Sequence, residues 1–581
     1  MKSFFKLVLA NLTAIFIVIA GFFVFFIGFL VLSSISETSD VKSDSVLTLD
    51  LKTKIIDSPS EDQEDFFSIN KEQKAVLLYD VLKAIEKAKN DDKIKGISIE
   101  ADNINAGITQ LDDIRNALID FKKSGKFVYA YGNSVSQGAY YLGSVADKYY
   151  LNPAGGIELK GLAAEVTFFK SFAEKYGIGI QVIRHGKFKA AVEPFLKDEI
   201  SPENKEQLST LLNDIWAQTS SKIATSRKIP VSEFKTITDS LYGYLPNLSL
   251  QYKLTDQLIQ KTEYDNIIRK KLNIDADKKI NKISFAKYAE SIESEKGKDK
   301  IAILYASGAI NNGKGYDAIY SENFRKEIKK LQKDDNVKAV VFRINSPGGS
   351  ANASDEILFE MQQLKSKKPV VVSFGDYAAS GGYYIAMGAD KIFSEPNTLT
   401  GSIGVFGVIP YFKDLAAKNG IRSDAVTTNA NSNMISAING LSPGTLTIMT
   451  RSVESTYQRF VHFVTLNRKK SFEQIDAVGG GRIWSGVRAK EIGLVDELGS
   501  LQDAINFAAQ KAKLKDYGVS TYPAKMSKFE QIFSAETDED FSTRVIKNKI
   551  GKENFKIFQQ VADPNAKASV MMEMPFNIKL N

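Results

Sequence analysis

Ser380 stands in Ala378-Ala379-Ser380-Gly381-Gly382, just beyond a strand pattern that ends at Phe374. Small neighbours let the backbone turn sharply and leave a hydroxyl exposed where a helix opens. Upstream, Asn345-Ser346-Pro347-Gly348-Gly349 follows another apolar run, Ala339 to Ile344. The N–H groups of Gly348 or Gly349 and of Gly381 can then be aimed at one point, the geometry of an oxyanion hole. A lone Ser-Gly-Gly is more often a plain tight turn. Its pairing with Ser-Pro-Gly-Gly at the end of the preceding strand favours a nucleophilic serine.

A serine hydroxyl needs a base. The chain has two histidines, His185 and His462. His462 lies in an amphipathic helix pattern, Tyr457 to Leu466, which packs it. His185 lies where a strand gives way to a loop. A lysine desolvated by burial is the alternative. Lys189 fits, because Gly186 to Phe195 surrounds it with small and apolar residues. A loop lysine is ordinarily a solvated charge, so spacing alone does not decide the base.

Composition removes other chemistries. Cysteine is absent, which excludes a thiol nucleophile, thiolate zinc and iron–sulfur clusters, and suits an oxidising compartment. No His-Glu-x-x-His pattern occurs, so a zincin is excluded and no metal or organic cofactor is expected. The net charge of +7 is spread along the chain, so no nucleic-acid footprint is visible. The stretch from Arg269 to Lys282 reads as a solvated basic face.

An internal repeat organises these residues. Residues 131–149 match residues 374–392 at an offset of 243 (374 − 131). The same offset holds without a gap from Asp91-Asp92, matched by Asp334-Asp335, to Tyr176-Gly177-Ile178, matched by Asn419-Gly420-Ile421. Each copy reads as α/β. Helical stretches (Val81 to Lys89, Phe324 to Lys333) lead into apolar strands (Ile94 to Ile99, Val337 to Ile344). Later strands (Phe127 to Tyr131, Val370 to Phe374) turn into helices, which implies parallel sheets covered by helices. Ser380 aligns with Gln137, Gly348-Gly349 with Asn105-Ala106, and Lys189 with Ser432. Each copy lacks half of a site, so one site per pair of copies is expected, with Lys189 reaching Ser380.

The chain of 581 residues is too long for one core. It divides into a cytoplasmic tip and anchor (1–35), a first repeat (46–290), a second repeat (296–515) and a C-terminal extension (516–581) of undefined structure. Residues 7–32 carry no charge and would form a helix about 39 Å long, enough to cross a bilayer. Lys2 and Lys6 before it place the N-terminus in the cytoplasm and the rest outside. The run exceeds a secretory h-region, so it reads as an uncleaved anchor.

At these motifs the chain resembles the signal peptide peptidase A family, in its long tandem-repeat bacterial form. The resemblance rests on NSPGGS at 345–350, AASGGYY at 378–384, TGSIGVFG at 400–407, GKFKAAVEPF at 186–195 and GRIWSGVRAKEIGLVDELG at 481–499. It covers essentially the whole chain, and MPFNI at 574–578 resembles the family's ending. The resemblance implies two tandem crotonase-like repeats of the Clp protease kind behind one transmembrane helix. It implies Ser380 as nucleophile, Lys189 as base and Ser402 as a hydrogen-bonding support for the lysine. It also implies a homotetramer on the inner membrane, catalytic domains outside the cytoplasm, degrading remnant signal peptides.

Rival readings make different demands. Broader membrane-protein quality control would use the same site. A crotonase-type acyl-CoA enzyme needs the oxyanion hole but not the serine–lysine pair. A nucleotide-binding loop is suggested by Gly308 to Lys314 (GAINNGK), although Gly315 replaces the expected Ser or Thr. An inactive scaffold would not need the pair.

Overall fold

In a computed structural model, the described residues are 11, 13–19, 21–22, 25, 41–50, 53–59, 74–292, 297–315, 318–524 and 571–574. The expected anchor lies largely outside them. Within it, residues 13–19 are helical and exposed, and among the described residues no helix is long and apolar enough to cross a membrane.

The two repeats build two similar sheets. In the first, strands run in the order Gln257–Leu258, Lys148–Ile157, Phe127–Val135, Ile94–Glu100, Ser45–Asp50, Lys282–Ser284, all neighbours parallel. In the second, Val370–Ala379 lies beside Val337–Ser346, then Lys300–Ser307, then Gly518–Tyr522, again parallel. Strands buried on both faces read as continuous apolar runs, as Val337 to Ile344 does. The edge strand Gly518–Tyr522 takes the place that Lys282–Ser284 holds in the first sheet. The second repeat therefore extends past residue 515, where the sequence reading ended it.

Helices cover the sheets with their apolar stripes. Leu78–Asn90 and Ile108–Lys122 bury Val81, Ile85, Leu111, Ile114 and Leu118 on the first sheet. Ser321–Lys333 and Ala351–Lys365 bury Ile328, Leu331, Ile357 and Met361 on the second. Each such side chain contributes about 1.5–3 kcal/mol by leaving water. Two long helices start alike, Pro202–Arg227 capped by Ser201 and Pro443–Arg468 capped by Ser442. In each the serine Oγ accepts an N–H of the first turn, and proline fits because that position needs no donor.

A third sheet joins the repeats. Its order is Ile319–Tyr320, Ile310–Asn311, Gly348–Ser350, Met571–Glu573, Phe406–Tyr411, Gly179–Arg184. Only the last strand comes from the first repeat, and the loop that follows it carries Lys189. Gly308 to Lys314 contributes the short strand Ile310–Asn311 instead of turning into a helix, so the nucleotide-loop reading fails on geometry.

Buried polar groups also bridge the repeats. Arg343, fully buried, donates to Asp57 Oδ1 at 3.0 and 3.2 Å, to Ser373 Oγ and to the Phe374 carbonyl. Asp376 accepts from Thr109 N at 2.9 Å and Thr109 Oγ1 at 3.0 Å. Asp113 of the first repeat meets Glu395 of the second. Burial, and after it the charge of Asp113, push the Glu395 carboxyl well up. Burial likewise pushes Asp113 up to about 6, against the pull of Arg343.

Candidate active site

Ser380 ends the strand Val370–Ala379 and precedes the helix Gly381–Ile385. Its backbone is held at φ 56°, ψ −116°, a region a non-glycine residue enters only when its surroundings enforce it. Two bonds enforce it. Ser380 N–H donates to the Gly401 carbonyl at 2.8 Å, and Tyr384 N–H donates back to the Ser380 carbonyl at 2.9 Å.

Lys189 reaches the same point from the first repeat of the same chain. Its Nζ donates to Ser380 Oγ at 2.8 Å and to Ser402 Oγ at 3.0 Å, with the Ser402 carbonyl at 3.4 Å. Lys189, Ser380 and Ser402 each have 0% relative exposure. The Phe406 ring lies 5.7 Å from the amine. The lysine loop is gripped by the segment Gly479–Arg482. Phe188 N–H donates to the Gly480 carbonyl at 3.1 Å, and Gly481 N–H donates to the Ile403 carbonyl at 2.7 Å. A Cβ on Gly481 would lie 2.7 Å from Lys189 Cα, and its φ is +86°, so only glycine fits there.

The glycine loops converge as the spacing suggests. Gly348 and Gly349 have φ of 105° and 154°. A Cβ on Gly348 would stand 2.8 Å from the Gly381 nitrogen, and one on Gly381 would stand 3.2 Å from the Gly349 nitrogen. Gly348 N–H itself donates to Ser346 Oγ at 3.2 Å.

The histidines lie elsewhere. His185 Nδ1 is 2.7 Å from Glu454 Oε2, and its ring stacks on Tyr457 with centroids 3.6 Å apart. It braces the lysine loop from outside, since Tyr457 Oη accepts from Gly480 N–H at 3.3 Å. His462, expected to be packed, is exposed on the helix Pro443–Arg468. The buried stripe of that helix runs through Val453, Tyr457, Phe460, Val461 and Val464, and His462 falls just off it.

Among the described residues, the first repeat holds no second site of this kind. Gln137 takes the position of Ser380, and its side chain is tied down. Its Oε1 accepts from Lys160 N–H at 3.1 Å and Gly161 N–H at 2.9 Å, while Nε2 donates to the Gly161 carbonyl. Ser432, the counterpart of Lys189, lies in an exposed loop.

One contributor escaped the sequence reading. Met571–Glu573 returns from the C-terminal extension and pairs antiparallel with Gly348–Ser350. Met572 is buried, and Met574 packs among Leu211, Ile215, Ala379, Leu399 and Ile483. The Met-Pro-Phe motif was the only signal for it.

Comparison with known proteins places this architecture. The sequence model for peptidase family S49 matches twice, over residues 120–275 and 362–515, once per repeat. The Clp protease model matches residues 292–400. Protease 4 of Salmonella typhi is 33% identical over 553 residues, spanning 92% of this chain and 88% of that protein. The chloroplastic serine protease SPPA of Arabidopsis thaliana is 31% identical over 82% of this chain and 70% of its own length. A putative signal peptide peptidase SppA of Enterococcus faecium is 35% identical over 42% of this chain and 73% of its own length. The chain belongs to peptidase family S49 and is a serine endopeptidase.

Proposed function

We propose that Ser380 and Lys189 form a serine–lysine dyad that degrades remnant signal peptides at the membrane. The observation that carries the reading is the bond of 2.8 Å between Lys189 Nζ and Ser380 Oγ, both fully buried. Burial removes the amine from water and disfavours its ammonium form. A neutral amine takes the Ser380 proton as Oγ attacks the peptide carbonyl. N–H groups of Gly348 or Gly349 and of Gly381 hold the oxyanion. The lysine then protonates the leaving amine, and water hydrolyses the acyl-serine. Ser402 keeps the lysine aimed. This chemistry uses no metal or cofactor.

An extended apolar peptide suits the site. The strand Gly348–Ser350 already accepts an antiparallel partner whose Met572 side chain is buried. The name of the Enterococcus relative supports signal peptides as the class. Residues 7–32 would anchor the chain in the inner membrane, with both repeats on the extracytoplasmic side, as a homotetramer. The test is cleavage of a hydrophobic signal-peptide mimic by detergent-solubilised full-length protein. Wild type should cleave, and Ser380→Ala and Lys189→Ala, checked for folding, should not. Full activity in Lys189→Ala would remove the dyad.

A further inference from the structure

The strand Met571–Glu573 shows how a peptide lies across the site. It is held on both edges, with Met571 opposite Ser350 on one side and opposite Phe406 on the other, antiparallel to each. Met572 stands opposite Gly349. Its carbonyl oxygen is the nearest atom to a Cβ placed on Gly348, and lies 3.2 Å from a Cβ placed on Gly381. These glycines belong to the two loops expected to hold the oxyanion. The peptide bond from Met572 to Glu573 therefore takes the place of a bond to be cleaved. Ser380 is fully buried, so a substrate reaches its hydroxyl only by taking the place of this strand. In such strand addition the backbone supplies affinity and alternate side chains supply specificity.

Met574 is the next alternate position, two residues beyond that carbonyl. Its N–H donates to the Pro347 carbonyl at 2.8 Å, which holds it against the oxyanion loop. Its buried side chain packs among Ala379, Leu399 and Ile483 of the second repeat and Leu211 and Ile215 of the first. Leu211 and Ile215 lie one turn apart on the helix Pro202–Arg227. The matching helix Pro443–Arg468 has Ser452 and Thr456 at these positions (443 − 202 = 241; 452 − 211 = 241), and Ser452 is exposed. The first-repeat helix is thus apolar where it faces the other repeat's nucleophile. Polar bonds on the same face fix this wall. Gln207 Oε1 accepts from Ile483 N–H at 2.8 Å, while Asp214 accepts from Arg488 at 2.6 and 2.9 Å and from Ser485 Oγ at 2.7 Å.

We propose that this pocket is a subsite for the second residue beyond the cleaved bond, and that Leu211 and Ile215 make it select a long apolar side chain such as Met or Leu. A substrate running in the direction of Met571 to Met574 brings one carbonyl to the glycine loops and sets that residue on the first-repeat wall. The first repeat then supplies recognition of the leaving side as well as the base. An acidic side chain there is buried without a partner, and alanine leaves the pocket unfilled. The inference rests on the serine–lysine reading of the site and extends it to the sequence that the site accepts.

The test gives full-length protein in mild detergent a set of fluorogenic apolar peptides that differ only at this position, as Met, Ala, Phe or Asp. Mass spectrometry maps each cut. In wild type, kcat/KM for the Met peptide should exceed that for the Ala peptide by about tenfold or more, with Asp slower still. Leu211→Phe narrows the pocket and should bring the Met-to-Ala ratio towards one. Ile215→Ala widens it and should raise the Phe-to-Met ratio. Each ratio is taken within one protein, so a partly unfolded variant does not distort it. A cut displaced along the Asp peptide, so that an apolar residue again falls two beyond the bond, also supports the pocket. Equal rates for all peptides cut at the same bond overturn the pocket and leave the serine–lysine reading standing. Ratios unchanged in both variants overturn the role of the first-repeat wall. No cleavage of any peptide by wild type overturns both readings.

Discussion

Lys189 and Ser380 are 191 residues apart in sequence, yet their side chains form a buried hydrogen bond of 2.8 Å. Neither repeat could build this alone. The lysine loop follows the only first-repeat strand in the joining sheet, and Gly479–Arg482 of the second repeat closes over it. The site is therefore a property of the packing between repeats.

If Lys189 is the base, its replacement removes general-base catalysis worth about 10²–10⁴-fold. Lys189→Ala and Lys189→Arg should both lose at least this much in kcat. Arginine stays charged and cannot take a proton. Ser402→Ala keeps the lysine and should lose less, about tenfold, corresponding to a hydrogen bond of roughly 1–1.5 kcal/mol. Equal losses for Ser402→Ala and Lys189→Ala would contradict the division of roles.

Gly481→Ala should lower kcat while leaving the protein folded. The new methyl would press on Lys189 Cα from 2.7 Å and require a φ of +86°. Comparing steady-state kinetics with the melting curve checks this. A loss of folding as large as the loss of activity would mean that the glycine serves stability alone.

Asp57→Ala should strand the buried Arg343 charge. Removing one partner of a buried ion pair costs about 3–5 kcal/mol. A large fall in Tm is expected, with activity falling too because the pair ties the repeats together. Thermal unfolding beside Asp57→Asn measures it. An unchanged Tm would show that Arg343 finds another partner.

The acid pair between the repeats predicts a pH signature. Burial raises Asp113 from its ordinary 3.8 to about 6, so the folded protein holds more protons than the unfolded chain in that window. Stability should then fall as pH rises from about 4 to about 6 and stay lower above it. Asp113→Asn has no such proton to lose. It should match wild type near pH 4 and exceed it above pH 6, by at most about 3 kcal/mol. A stability gap independent of pH would contradict the raised Asp113 carboxyl.

Much of this was legible in the sequence, because the repeat compares the chain with itself. Gln137 against Ser380 and Ser432 against Lys189 revealed two complementary halves before any fold was known. Helices and strands of the repeats follow their apolar periods. The illegible parts are non-local. Nothing in the spacing of Asp57, Asp113, Arg343 and Glu395 says that they meet, because their pairing depends on how two sheets pack. Met571–Glu573 returns across the whole second repeat to reach Gly348–Ser350, and no local pattern encodes that distance. His462 was misread because one residue of rotation on a helix moves a side chain off the buried stripe.

The most direct test of the central claim is the reaction of Ser380 with a fluorophosphonate probe, followed by peptide mapping, in wild type and Lys189→Ala. The account predicts one label on Ser380 in wild type, and labelling slowed by about 10² or more in the variant. A label on another residue, or equal rates in the two proteins, would contradict it.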